Sequence, residues 1–350
     1  MLPRLCVLVS FAYLRKDPVL SAVCRALAPS VDLMWDSGAF TDHFQYRKAL
    51  LTGASYERIT VDEYCDWLAE WAALAWGYVQ LDVLTDDVRS QQNLEVMVKR
   101  GWRPMPVITL TEDPGRAREW VEISGKLCVA AIGKAPLPFA QQRIYRTWNA
   151  CEGRGLIHAL GFTRYPTLLR LPVHCADSSS WLSGGRYGNM DFFDAVDGFS
   201  GVSRPDLIAD RDERERVIGL LRAMDMPAEY LAQRECWRGS AGVLRILSAH
   251  ATLQMHAVMA RAGRRLFLAG ASTHDLTLML STVSAYDSQG ALSIRRARET
   301  ALRLGALGKS DKGALYDELA QIAAKHTAAA TRVQDKPPAE FAVTTTTTRA

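Results

Sequence analysis

Three acidic residues stand where apolar runs give way to polar sequence. In VDLMWDSGAF the apolar run stops at Asp36, with Ser37 and Gly38 directly behind it. VQLDVLTD carries Asp82, and LLRLPVHCADSSSW ends its run at Asp177, followed by Ser178. A lone Asp before Ser-Gly makes an Asx turn or caps a helix. Three acids converging on one rim are a different matter, because crowded carboxylates in a confined site cost Coulomb energy unless they are used. Their use could be the breaking of a glycosidic bond, which passes through an oxocarbenium-like state. One carboxylate forms a covalent glycosyl-enzyme while another group handles the leaving group's proton.

The acids meet only if the elements that carry them bring their tips together. Short apolar runs recur at 5–12, 31–35, 78–83, 105–110, 127–132, 155–160 and 168–173. Between many of them lie helical patterns. Thr60 and Glu63 form a capping box before Tyr64, Trp67, Leu68, Trp71 and Leu74 at helical spacing. Segments 88–100, 114–124 and 138–152 end at Gly101, Gly125 and Gly153. Alternating runs and helices predict a parallel sheet, and their number favours an α/β fold of the (β/α)8 TIM-barrel type. The eighth strand is expected at 265–271, with 192–199 as its rival. Only about six residues separate the sixth and seventh runs, too few for an ordinary crossover helix. In such a barrel the chemistry sits at the C-terminal strand ends, which is where Asp36, Asp82, Asp177 and the Gly133-Lys134 step fall.

The expected organisation is one domain over 1–325 and a disordered tail over 326–350, rich in Ala, Thr, Lys and Pro. A helical insertion lies at about 189–264, between strands seven and eight, and further helices follow at about 274–286, 291–304 and 313–325. The Met and Leu stripe around Leu244, Leu247, Met255 and Met259 reads as core. Arg261, Arg264 and Arg265, and the cluster Arg295, Arg296 and Arg298, read as solvated surface.

The chain has 350 residues, 48% hydrophobic and 23% charged, with a net charge of +4. That balance fits a nucleic-acid partner without demanding one. The seven cysteines are scattered with no CxxC, which argues against a zinc ribbon and points to free thiols in a reducing cytoplasm. No apolar stretch approaches the roughly 20 residues that span a membrane, and LCVLVSFAY reads as a first strand rather than a signal segment. No cofactor is expected.

The order DSGAF, LDVLTD with Asn93 and Met97 behind it, GWRPMPV, VAAIGK, IHALGFT and HCADSSSW resembles the tRNA-guanine transglycosylase superfamily. It is closest to the shorter, phage-type relatives that insert 7-deazaguanine bases into DNA. The resemblance covers roughly residues 5–188 and reaches LFLAGAS at 266–272. It implies a (β/α)8 barrel with Asp177 as nucleophile and Asp36 handling protons on the departing and incoming bases. Asp82 would read the Watson–Crick edge, Gly133 would border the base pocket beside Lys134, and Ser37, Gly38 and Phe40 would shape it. Ser178 and Trp181 belong to the same pocket. Arg186 and Arg204 are the candidate phosphate contacts. The clustered cysteines and histidine that give the tRNA enzymes their zinc site are missing: Cys236 stands alone, with His250 and His256 nearby. No metal is therefore expected, and DNA is favoured as the polymer. A small 7-deazaguanine base is the second partner, and a homodimer or an accessory protein is compatible. If the chain is phage-encoded, the compartment is the host cytoplasm.

Competing readings keep the barrel and change the chemistry: base exchange on tRNA, a hydrolase or deoxyribosyltransferase acting on free nucleosides, or a non-catalytic nucleic-acid-binding barrel.

Overall fold

Each apolar run ends in glycine or polar residues, which limits the strands to two to six residues and leaves room for a helix before the next. The computed structural model describes residues 2–130, 135–205, 208–239, 241–328 and 330. Seven strands come first: β1 (Cys6–Ser10), β2 (Asp32–Asp36), β3 (Gly77–Tyr78), β4 (Val107–Ile108), β5 (Lys126–Val129), β6 (Leu156–Ala159) and β7 (Cys175–Ser178). An antiparallel hairpin, β8 (Asn189–Asp194) and β9 (Gly198–Ser203), precedes β10 (Arg265–Gly270). All but the hairpin pair in parallel, in the order β3-β2-β1-β10-β7-β6-β5-β4. The two ends of this order meet through a parallel bridge between Val79 and Met105. There Met105 N donates to Tyr78 O at 2.8 Å and Gln80 N to Met105 O at 3.1 Å. The eight strands thus curl into a TIM-type barrel.

Side chains alternate across each strand, so the ring has an inside and an outside. Cys6, Leu8, Met34, Val79, Met105, Val107, Cys128, Cys175 and Phe267 form one apolar cluster within the ring. Ile157, Ala159 and Ala176 belong to a second cluster, shared with the helical layer. Alternation therefore turns His158, Cys175 and Asp177 inward. It likewise stacks Asp32, Met34 and Asp36 on the inner face of β2. The interior is apolar at mid-height and polar at both ends.

The lower end holds a buried ion cluster. Asp32 lies between two arginines, Arg4 at 2.7 Å and Arg265 at 3.2 Å, and Arg265 Nη1 donates to His174 Nε2 at 2.9 Å. Arg264 and Arg265 are each only 5% exposed, which corrects the expectation of a solvated cluster. Arg265 opens β10, so the alternation that puts Phe267 inside puts Arg265 inside too.

In the outer layer the helix Val61–Trp71 is capped by Thr60, whose hydroxyl accepts from Glu63 N at 3.2 Å. Glu63 pairs with Arg15 at 2.8 Å, so only half of the capping box forms. The face of this helix packs on β2: Trp35 Nε1 donates to Trp71 O at 2.8 Å, and the two rings meet edge-on at 5.6 Å.

Three further expectations are corrected. The run 168–173 is not the seventh strand; it forms the short helix Thr167–Arg170 and a buried connection, and β7 starts at Cys175. This shift opens the space the β6–β7 crossover needed. The insertion is not wholly helical, because 192–199 lies in the β8–β9 hairpin outside the barrel. The last helix, Lys312–Ala328, runs three residues into the expected tail, and residues 331–350 lie outside the described residues. The strand at 265–271 is confirmed as β10.

Candidate active site at the barrel mouth

Asp36 closes β2, in register with Ser10 of β1. The chain must turn at once into the helix Ala39–Thr52, and Gly38 makes the turn at φ 87°. A Cβ at Gly38 would stand 2.6 Å from Ala12 Cβ and 2.9 Å from Ala12 N, so both conformation and space require glycine. Gly38 N in turn donates to Asp36 Oδ2 at 3.0 Å. Ser37 is fully buried, and among the described residues its Oγ finds no hydrogen-bond partner. Burial raises the ionisation of Asp36 above the usual carboxylate range. The Ser10 hydroxyl opposes that shift, the Asp177 charge adds to it, and Gly38 N–H and the His158 imidazole oppose it.

Asp82 lies just past the Val79–Met105 bridge, on a loop fastened from several sides. Gln80 Nε2 donates to Ser90 O at 3.2 Å while its Oε1 accepts from Val107 N at 3.0 Å. Ser90 Oγ accepts from Val83 N at 2.7 Å, and Asn93 Nδ2 donates to Leu81 O at 2.9 Å. Burial, with the Asp36 charge next in weight, pushes Asp82 up to about 7; its own backbone N–H opposes the shift and Glu112 adds to it.

Asp177 is the third residue of β7 and is 8% exposed. Gly161 N, in the turn after β6, donates to its Oδ1 at 2.7 Å. His158 Nε2 lies 3.2 Å from the same oxygen, and His158 Nδ1 lies 3.2 Å from Cys175 Sγ. Burial opposes charge on His158, but the Cys175 sulfur and the Asp177 carboxylate outweigh it, so its ionisation is raised. Cys175 is fully buried one layer below, so this Cys-His-Asp line supports the acid and does not present a thiol to the mouth.

The three acids thus act on one another: the charge of Asp177 is felt at Asp36, and that of Asp36 at Asp82. Other candidates fall around them in different ways. Ser178 alternates away from the interior, and its Oγ accepts from Ser180 N at 3.1 Å. Trp181 is fully buried and donates from Nε1 to Ala269 O at 2.9 Å; it braces β10 and offers no open face to a ligand. Phe40 is 58% exposed and packs on Phe44 with ring centroids 4.5 Å apart. Arg186 is exposed on the helix Ser183–Tyr187, whereas Arg204 lies over the Trp237 ring at 5.8 Å. Gly133 and Lys134 lie outside the described residues.

His158 stands beside the nucleophile candidate and Cys175 beneath it. Cys175 meets His158 across the β6–β7 ladder. Among the described residues, no three His, Cys, Asp or Glu side chains gather in a way that could hold a metal ion, and no helix is long and apolar enough to cross a membrane. Two cavities, of about 360 and 880 Å³, open elsewhere. The first is lined by Trp76, Tyr78 and Lys126, the second by Phe193, Tyr286 and His326.

No family model and no curated protein matches the chain. Among solved structures it is similar to tryptophan synthase from M. tuberculosis, in a ligand-free form with a point substitution in TrpA, at 12% identity and a TM-score of 0.29. That match covers 92% of this chain and 94% of the other.

Proposed function

We propose that the protein is a base-exchange transglycosylase that replaces guanine in DNA with a 7-deazaguanine derivative. The observation that carries this reading is the convergence of Asp177, Asp36 and Asp82 on one barrel mouth, with charges that act on one another. Asp177 attacks the anomeric carbon of a flipped-out guanosine nucleotide; the C1′–N9 bond breaks and a C1′–O bond to Asp177 forms. Asp36, whose ionisation burial raises, gives a proton to the departing guanine. The incoming base returns a proton to Asp36 and attacks C1′, which frees Asp177. Asp82 accepts from the ring N–H and amino group of the base, and these two donors compensate the carboxylate that burial otherwise keeps partly protonated. Arg186 meets backbone phosphate.

The test is a nucleoside analysis of cells that express the protein and are supplied with 7-deazaguanine precursors, with DNA and tRNA digested separately. A modified deoxyguanosine that disappears in Asp177→Asn is expected. A modified base confined to tRNA transfers the reading to that polymer. Release of free guanine without any acceptor turns it into a hydrolase.

A further inference from the structure

Two groups meet Asp177 at one oxygen. Gly161 N donates to Oδ1 at 2.7 Å, and His158 Nε2 lies 3.2 Å from the same atom as an ion-pair contact without hydrogen-bond alignment; among the described residues no hydrogen bond falls on Oδ2. A carboxylate held at one oxygen cannot rotate its other oxygen out of line. We propose that His158 is the positioning residue for Asp177: it pins Oδ1 and leaves Oδ2 as the oxygen that attacks the sugar. This rests on the transglycosylase reading of Asp177 and adds to it the residue that aims the nucleophile.

Cys175 sets how His158 does this. With its Nδ1 against the Cys175 sulfur, the ring has two arrangements. In the neutral one the thiol donates to Nδ1; in the charged one both ring nitrogens carry protons. Both leave an N–H on Nε2, facing Asp177; a ring that instead gives Nδ1–H to the sulfur would set the bare Nε2 lone pair against the carboxylate, so Asp177 selects the first two. The groups facing the ring are Cys175 and Asp177 of β7, Cys128 of β5 in register with it, Asp36 through its charge, and the edge of Phe267 of β10 at 6.3 Å. Burial and the neighbouring acids hold the Cys128 thiol in its protonated form. The charges that favour the imidazolium come first from the Cys175 sulfur and then from Asp177.

Two substitutions separate positioning from packing. Gln at 158 carries its amide nitrogen about where Nε2 stands; Asn carries its own where Nδ1 stands, and cannot reach Asp177. His158→Gln is expected to keep kcat within about tenfold of the wild type. His158→Asn is expected to lose on the order of 100-fold in kcat, the cost of about 1 Å of misplacement, with KM little changed. Equal kcat values in the two variants overturn the proposal. An independent arm needs no turnover: imidazole titration by NMR in histidine-labelled protein, practical with seven histidines in the chain. Asp177→Asn is expected to lower the ionisation of His158 by about one unit or more, since an opposite charge at this range is worth about 1–3 units. An unmoved titration overturns the proposal, even if His158→Asn fails to fold. If the wild type exchanges no base, the functional reading falls and the titration still decides whether His158 holds Asp177.

Discussion

Replacing Asp82 with Asn tests the electrostatics of the mouth through stability alone. Burial and Asp36 raise the Asp82 ionisation from the ordinary value of about 3.9 to about 7. Between those values the native state binds more protons than the unfolded chain, so stability falls as pH rises from about 4 to 7 and stays reduced above. Three units at about 1.36 kcal/mol each set a ceiling of about 4 kcal/mol. The side chain is partly open to solvent, and screening reduces this to about 1–2 kcal/mol. Asn is close to isosteric and cannot ionise. Urea unfolding of both proteins at pH 4, 6 and 8 is therefore expected to show no difference at pH 4. Asp82→Asn should lead by about 1–2 kcal/mol at pH 8. A difference that does not change with pH, or a variant less stable at pH 8 than the wild type, would refute the reasoning. The same variant is expected to lose base exchange, since the amide presents a donor to the base where two acceptors stood.

Gly38→Ala combines a left-handed φ with a Cβ 2.6 Å from Ala12 Cβ, and is expected to cost about 2–4 kcal/mol in urea unfolding. Asp32→Ala strands two buried guanidinium groups and is expected to cost about 3–5 kcal/mol, whereas Glu70→Ala, which removes only the exposed pair with Arg25, should stay within about 1 kcal/mol. Burial lowers His250 and His256 to about 4, so the unfolded chain takes up their protons first and stability falls as pH drops from about 6.5 toward 4; at pH 5 each contributes a loss of up to about 2 kcal/mol. In the same labelled protein, these two imidazole signals should remain unprotonated down to pH 5.

The barrel and its acids were legible because they rest on local signals. Strand-length apolar runs, glycines at helix ends and acids directly behind the runs are visible one segment at a time, and Gly38 marks a turn only glycine can make. The place of His158 between Asp177 and Cys175 was not legible in this way. It sits in LIHA, a strand buried on both faces, and a continuously buried run carries no alternation to show which residues turn inward. Arg265 misled for a related reason: basic residues before a strand ordinarily face water, and partners far off in sequence, among them Asp32, 233 positions away, make burial tolerable. The run at 168–173 imitated a strand because Leu168, Leu171 and Val173 are all buried, although by a short helix and a connection. The helix Ala39–Thr52 has few buried residues and exposes Phe40, Phe44, Leu50 and Leu51, so no apolar stripe announces it.

The position of β1 between β2 and β10 sets a timetable for synthesis. One edge of the first strand has no neighbour until Arg265–Gly270 has left the ribosome, and β7 waits for the same partner. Between β7 and β10 lie roughly 85 residues, which take on the order of ten seconds to translate at ordinary rates. For that interval the nascent chain carries a curled parallel sheet with both seam edges open, the kind of surface that recruits other strands. The hairpin and the helices of the insertion are made during the wait. The mouth that holds Asp36 and Asp177 is therefore completed late, when β10 joins their two halves, and a chain stopped before residue 265 should be prone to aggregation rather than partly active.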